Sequence, residues 1–296
     1  MTSKPLAQTD TFSAPERSNF ARAMRRLMRH RSGQIGGVIV LTLVFCAIMG
    51  ETILPYDPLK IDPINRLQEP SAEHWFGTDE LGRDLFSRIV YGSRYTLLIG
   101  LVSTAIAASF GITLGLLAGA GGKLADMLIM RVVDVLLAFP YILLLLAVIA
   151  ILGPSLWTAM IAVGVGGIAG YARLIRGEVL ALRDAEFVEA QRALGAGHLR
   201  ILFGTILPNV TSQIVIYASF TIPLAVLAAA ALSFLGLGAQ PPAPEWGSML
   251  VDARTFLRTA WWVVAAPGLA IFVSIFGMNL FGNALRDVLD PKEMSK

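Results

Sequence analysis

Histidine and cysteine, the side chains that most often build nucleophilic or metal sites, are scarce in this chain. Its three histidines, His30, His74 and His198, fall in separate segments, and its one cysteine, Cys46, lies in an apolar run. No intrachain disulfide can form and no thiolate metal site has a basis in spacing, so no catalytic or metal-binding residue is assigned. The nearest approach to a phosphate-binding loop is Gly122-Lys123. Leu124 follows where Ser or Thr is needed, and Leu117 holds the leading glycine position, so this chain carries no ATP site of that kind. Arg131 and Asp134 form the one ionisable pair inside an apolar stretch. Their i, i+3 spacing puts them on one helix face, where a paired or snorkelling role is expected. A proton relay wants carboxylates near the membrane midplane, and the other apolar stretches offer none there.

Patterned chemistry is concentrated between Arg173 and Gln213. The segment far exceeds the ~4–6 residues of an ordinary connector. Asp184 is expected to cap a helix, with Glu186 in the first turn. Phe187, Ala190 and Leu194 follow a helical period, with Glu186, Glu189 and Arg192 elsewhere on the surface. Gly195 and Gly197 break this helix. Leu199, Ile201, Leu202 and Ile206 begin a second amphipathic piece, which Pro208 is expected to end. The result is a short helix–turn–helix. It can offer an apolar ridge to a partner's groove, with charges to fix register, or it can lie on lipid. The residues alone leave both uses open.

Composition says what must carry this segment. Only 15% of the 296 residues are charged, against about 25% in a typical soluble domain, and 55% are apolar. The mean hydropathy is +0.66. These values exclude an ordinary soluble enzyme, a disordered chain and a nucleic-acid binder. A bilayer core takes roughly 20 apolar residues per helix, and six stretches qualify: 35–54, 97–118, 127–152, 156–172, 214–237 and 261–280. None alternates as barrel strands do, so the expected fold is an all-α polytopic membrane protein of six transmembrane helices.

Charge gives the orientation. Lys4, Arg17, Arg22, Arg25, Arg26, Arg29 and Arg31 precede the first span, and Arg173, Arg176, Arg183, Arg192 and Arg200 follow the fourth. The positive-inside rule puts both termini and the 119–126 and 173–213 loops in the cytoplasm, and the 55–94 and 238–260 loops outside. The first ~30 residues lack an apolar core and are expected to precede an uncleaved anchor. Residues 1–32 then form a basic tail, 33–94 the first span and outward loop, and 95–292 the core domain. Glycines four apart (33 and 37, 111, 115 and 119, 166 and 170) mark expected close helix contacts. Pro140, Pro223 and Pro267 are expected to kink their helices.

Glu189-Ala190-Gln191, then Gly195, then Leu207-Pro208 resembles the EAA loop of bacterial ABC importer permeases, which forms the coupling helices docked on the ATPase subunits. Gln191 stands for the second Ala of that pattern, and Thr205 stands where Ile is common. Phe76 to Asp84 and Ala239 to Gly247 look like the second permease subunit of the dipeptide/oligopeptide/nickel branch, and Asn283 to Pro291 is similar too. The resemblance covers roughly residues 20 to 292.

It implies a type I importer fold, with one N-terminal helix before a five-helix core. By the same resemblance, Glu186, Glu189, Ala190, Gln191, Arg192, Leu194, Gly195, Leu207 and Pro208 would meet an ATPase. Asp79, Glu80, Arg83, Asp84, Pro241, Pro242, Glu245 and Trp246 would receive a periplasmic binding protein. Read from the residues, Asp79, Glu80, Arg83 and Asp84 can equally brace their own loop, Pro241, Pro242 and Pro244 make a stiff extended segment, and Trp246 suits a membrane interface. The implied partners are a homologous permease in a heterodimer and two ATP-binding subunits that hold ATP and Mg. The implied loads are short peptides, or alternatively nickel complexes, glutathione or another small solute. A secondary transporter is the more distant alternative, and would need midplane ion sites or inverted repeats.

Overall fold

The computed structural model describes Leu27 and residues 30–289. Most of the basic tail, and Asp290-Pro291 of the terminal motif, lie outside that range. Among the described residues the fold is helical, with no strand beyond an isolated Thr78–Asp84 bridge. The helices are α1 (Arg31–Ile53), α2 (Leu85–Ala120), α3 (Gly122–Ala138), α4 (Tyr141–Leu152), α5 (Leu156–Arg183), α6 (Glu186–Ala193), α7 (His198–Ile201), α8 (Leu207–Phe234), α9 (Trp246–Ala253) and α10 (Trp262–Leu289).

Five helical stretches are long and apolar enough to cross a membrane: α1, α2, α5, His198–Phe234 and α10. The expected third span is not one rod. It is α3 and α4, bent by 95°, and counts as a sixth crossing if the pair is one span. The break falls at Phe139-Pro140. Proline lacks an amide proton and pushes the residue before it out of helical geometry, and Phe139 is extended at ψ 135°. Pro223 and Pro267 lie inside α8 and α10, which continue through them.

Several helices outrun their apolar cores. α2 starts at Leu85, twelve residues before the expected span, because Asp84 caps it through Ser87 N at 2.8 Å. α5 runs to Arg183 and carries Arg173 and Arg176 beyond the apolar stretch. Both reach α3: Arg173 Nη2 donates to Asp134 at 2.7 Å, and Arg176 forms a two-pronged pair with Asp126. Asp134 is therefore paired across helices and not with Arg131, as their spacing alone suggested.

Small residues set the packing. Gly111, Gly115 and Gly119 of α2 meet Tyr171, Ile175 and Val179 of α5, so two four-residue repeats interlock. α1 packs on α10 most tightly through Gly33 and Gly36, with Gly37 in ordinary contact with the Phe281 ring; a Cβ on Gly36 would stand 2.7 Å from Gly277 O. The outward stripe of α1, comprising Ile35, Val38, Leu41, Phe45 and Ile48, is more than half exposed, as lipid contact requires.

The loops sort by end. Trp262 Nε1 donates to Thr78 O at 3.3 Å, tying the 54–84 segment to the start of α10, and Trp246 Nε1 donates to Ile89 O at 3.1 Å, tying the start of α9 to the first turns of α2. At the opposite end His198 bonds Ala120 O at 2.9 Å, joining the α2–α3 turn to the α6–α7 segment. This pairing of loops matches the two sides inferred from charge.

Candidate functional site

The α6–α7 segment stands on the bundle end through an apolar core of its own. Val188 is fully buried among Leu116, Ile175, Val179, Ile201, Leu202, Ile206 and Val210. Asp184 does not cap α6. It ends α5, and Ala185 precedes α6 with no side-chain cap. The α5 helix runs on to Arg183 and leaves only a tight turn between the two helices.

The C-terminal end of α6 is built as the two glycines suggested. Gly195 has φ +82°, its N–H donates to Arg192 O at 2.9 Å, and Ala196 N–H donates to Gln191 O at 3.0 Å. This pair of bonds is a Schellman motif, and its left-handed position favours glycine. Gly197 has ordinary φ and leads into α7.

Pro208 does not end the second amphipathic piece. The helix runs unbroken from His198 to Phe234, with π geometry over Leu202–Ile206. Leu207 N–H reaches back five residues to Leu202 O. The wider turn leaves room for a ring that would otherwise strike the preceding turn.

The segment presents a mixed surface. Leu194 is 88% exposed and Leu199 70%, with Phe187 and Phe203 also outward. Glu186, Glu189, Ala190 and Arg192 are exposed beside them, Gln191 is half-buried, Leu207 packs on the core below, and Pro208 is exposed. An apolar group with charges of both signs around it suits either a protein partner or the lipid interface. The sequence reading missed two supports: Val188 as the buried anchor of α6, and a hydrogen bond from Thr205 to Gln191 at 2.8 Å. A lone valine between Phe187 and Glu189 carried no signal. The other contact joins residues fourteen apart.

The opposite end is braced by its own charges. Asp79, Arg83 and Asp84 are each about 95% buried or more. Arg83 pairs with Asp79 at 2.6 Å and with Glu80 at 3.3 Å, and Asp84 also accepts from His74 at 2.9 Å. Glu245 is buried as the cap of α9, accepting from Gly247 and Ser248 N–H at 2.9 Å, and Trp246 is 3% exposed. Asp79, Arg83, Asp84, Glu245 and Trp246 are therefore spent on internal contacts. Pro241 and Pro242 are exposed, in a turn and not an extended run, and Glu80 is half-buried. Burial holds the Glu80 carboxyl above its ordinary value, with Asp79 adding to the effect. Burial likewise raises Asp252, against the pull of Arg83 and Arg88. Cys46 lines an apolar groove of about 700 Å³ between α1, α2 and α10. Among the described residues no group of three or more His, Cys, Asp or Glu is placed to hold a metal.

Comparison with known proteins gives the family and the fold. Residues 111–294 match the model of the binding-protein-dependent transport system inner membrane component, and residues 18–70 match the N-terminal transmembrane domain of oligopeptide transport permease C. The chain is 44% identical to the dipeptide transport system permease protein DppC of Alkalihalophilus pseudofirmus, over 99% of this chain and 98% of that one. It is 46% identical to the di/tripeptide permease DppC of Pseudomonas aeruginosa, over 89% of each. It is also 46% identical to the glutathione permease GsiD of Pectobacterium atrosepticum, over 90% and 89%. In fold it is similar to an inward-facing structure of the MetNI methionine ABC transporter, at TM-score 0.57 and 21% identity, covering 69% of this chain and 96% of that chain.

Proposed function

Because the chain belongs to the family of binding-protein-dependent transport system inner membrane components, we propose that it forms half of the pathway of an ATP-driven importer for short peptides. It is a multi-pass membrane permease with a type I importer fold. Relatives named for dipeptides and di/tripeptides support the peptide load, and the glutathione relative marks the nearest alternative.

The observation that carries the reading is the protruding α6. It is anchored by Val188, closed by the Schellman turn at Gly195, and leaves Leu194, Phe187 and Glu189 outward. An ATPase subunit seated there would push on α6 as its dimer closes. The bundle would then shift between two packings, biased by nucleotide. The arginines around α6 support a cytoplasmic setting for that end, with the Pro241-Pro242 end outside, in the inner membrane of a bacterium. There Pro241, Pro242 and Glu80 are the residues left to meet a loaded binding protein. The second half of the pathway is a homologous permease, and ATP and Mg belong to the two ATPase chains.

The test is purification of the tagged chain in mild detergent with its native neighbours, followed by mass spectrometry and reconstituted uptake. The expected result is recovery of a second permease and ATPase subunits, with uptake that requires ATP. Uptake by this chain alone, abolished by a protonophore while ATP is present, overturns the reading in favour of a secondary transporter.

A further inference from the structure

Thr205 Oγ1 donates to Gln191 Oε1 at 2.8 Å in a part-buried contact. Among the described residues this is the single side-chain hydrogen bond between α6 and another element. The rest of the α6 attachment is the apolar seat of Val188, which has no directional contact, and the hydrogen-bonded turns that join α6 to its chain neighbours. The Thr205–Gln191 bond is the directed side-chain contact.

The position of Thr205 matters more than the bond. It lies inside Leu202–Ile206, where the helix has π geometry and Leu207 N–H reaches back to Leu202 O. A π turn holds one residue more than an α turn, so a small pull can shift its hydrogen bonds by one register. Asn209 Nδ2 donates to Thr205 O at 2.7 Å, a second side-chain bond on the same turn. Beyond it, α8 continues without a break to Tyr217 and Thr221. Both meet Tyr171 of α5, one ring edge-on at a 4.7 Å centroid distance and the other by a 2.8 Å hydrogen bond.

We propose that Thr205 and Gln191 are positioning residues that tie α6 to the π turn, so that displacement of α6 is passed into α8 and not absorbed by the loop. The proposal rests on the reading of α6 as the ATPase-facing element. Its content is a specific segment of π geometry and the contact that holds it, not mere placement between two sites.

The test uses the full transporter with its ATPase subunits in proteoliposomes, and reads peptide uptake per ATP hydrolysed. The variants are Thr205→Val, which keeps the shape and removes the hydroxyl, Thr205→Ser, which keeps the hydroxyl, Gln191→Ala, and the Gln191→Ala/Thr205→Val double. Thr205→Val and Gln191→Ala are each expected to lower uptake per ATP about three- to tenfold, the range for one lost hydrogen bond, with Thr205→Ser near wild type. The double is expected to be no worse than the worse single, because both remove one contact. Additive losses, or a Thr205→Ser as impaired as Thr205→Val, overturn the tie. Wild-type ratios in Thr205→Val and Gln191→Ala, with Glu189→Lys uncoupled, overturn the tie and leave the reading of α6 intact. Wild-type ratios in all three overturn both.

Discussion

A Cβ on Gly115 of α2 would stand 2.7 Å from the Cβ of Ile175 on α5, closer than two side-chain carbons tolerate. The two helices lie along each other through three such meetings, and this contact forms the centre of the bundle. Gly115→Ala is therefore expected to destabilise the fold by about 1–3 kcal/mol through overpacking. The lost stability should be read as lower yield and a lower melting temperature in detergent. Gly177→Ala on α5 is the control, because nothing lies within 4 Å of its Cβ position. Equal behaviour of the two variants contradicts the close-packed seam.

Glu189 is exposed in the first turn of α6. Glu189→Lys is expected to insert and fold as wild type and to lose uptake about tenfold or more, as when a charge-assisted contact of about 1.5–3 kcal/mol is lost. Uptake and ATPase assays on the same preparation check this, and unchanged uptake removes Glu189 from the docking surface.

Gly195 takes φ +82° in open space, so a substitution there strains the backbone and crowds nothing. Gly195→Val should therefore impair coupling, while Gly195→Asn, which visits left-handed geometry more readily, should be milder. Equal activity in both variants contradicts a role for the turn.

Glu80 and Asp252 both sit above their ordinary carboxyl values, chiefly through burial. A group raised on folding adds stability that is fully present below its unfolded value, and that is lost as pH rises through the folded value. The window opens at the ordinary values of 4.5 and 3.8 and extends upward. Glu80→Gln, which stays neutral, should gain melting temperature relative to wild type as pH rises through that window, and differ little from it at lower pH. A difference that stays flat or reverses overturns the sign.

The apolar spans were legible because a stretch of about 20 apolar residues has only one favourable setting, and helices alone satisfy their backbone within it. The turn at Gly195 was legible for a similarly local reason, since a left-handed residue after a helix favours glycine. The break at Pro140 follows from proline's missing amide, although its 95° angle does not. The outer-loop residues show what local charge leaves open. Asp79, Arg83 and Asp84 could brace their own loop or meet a partner, and the fold takes the first course, burying them in their own ion pairs and helix cap. Glu245, assigned to a partner surface by resemblance alone, is buried as the cap of α9. Asp184 was a plausible cap until α5 extended to meet it.

The sequence by itself therefore determined what short-range chemistry compels: helices in lipid, the glycine turn, and basic loops gathered at one end. The tertiary structure alone decided which charges face water, which arginine pairs with Asp134, and that Gln191 meets Thr205. Those outcomes depend on which distant side chain arrives at the same place. Burial and pairing energies belong to the pair and its surroundings, and neither residue carries them alone.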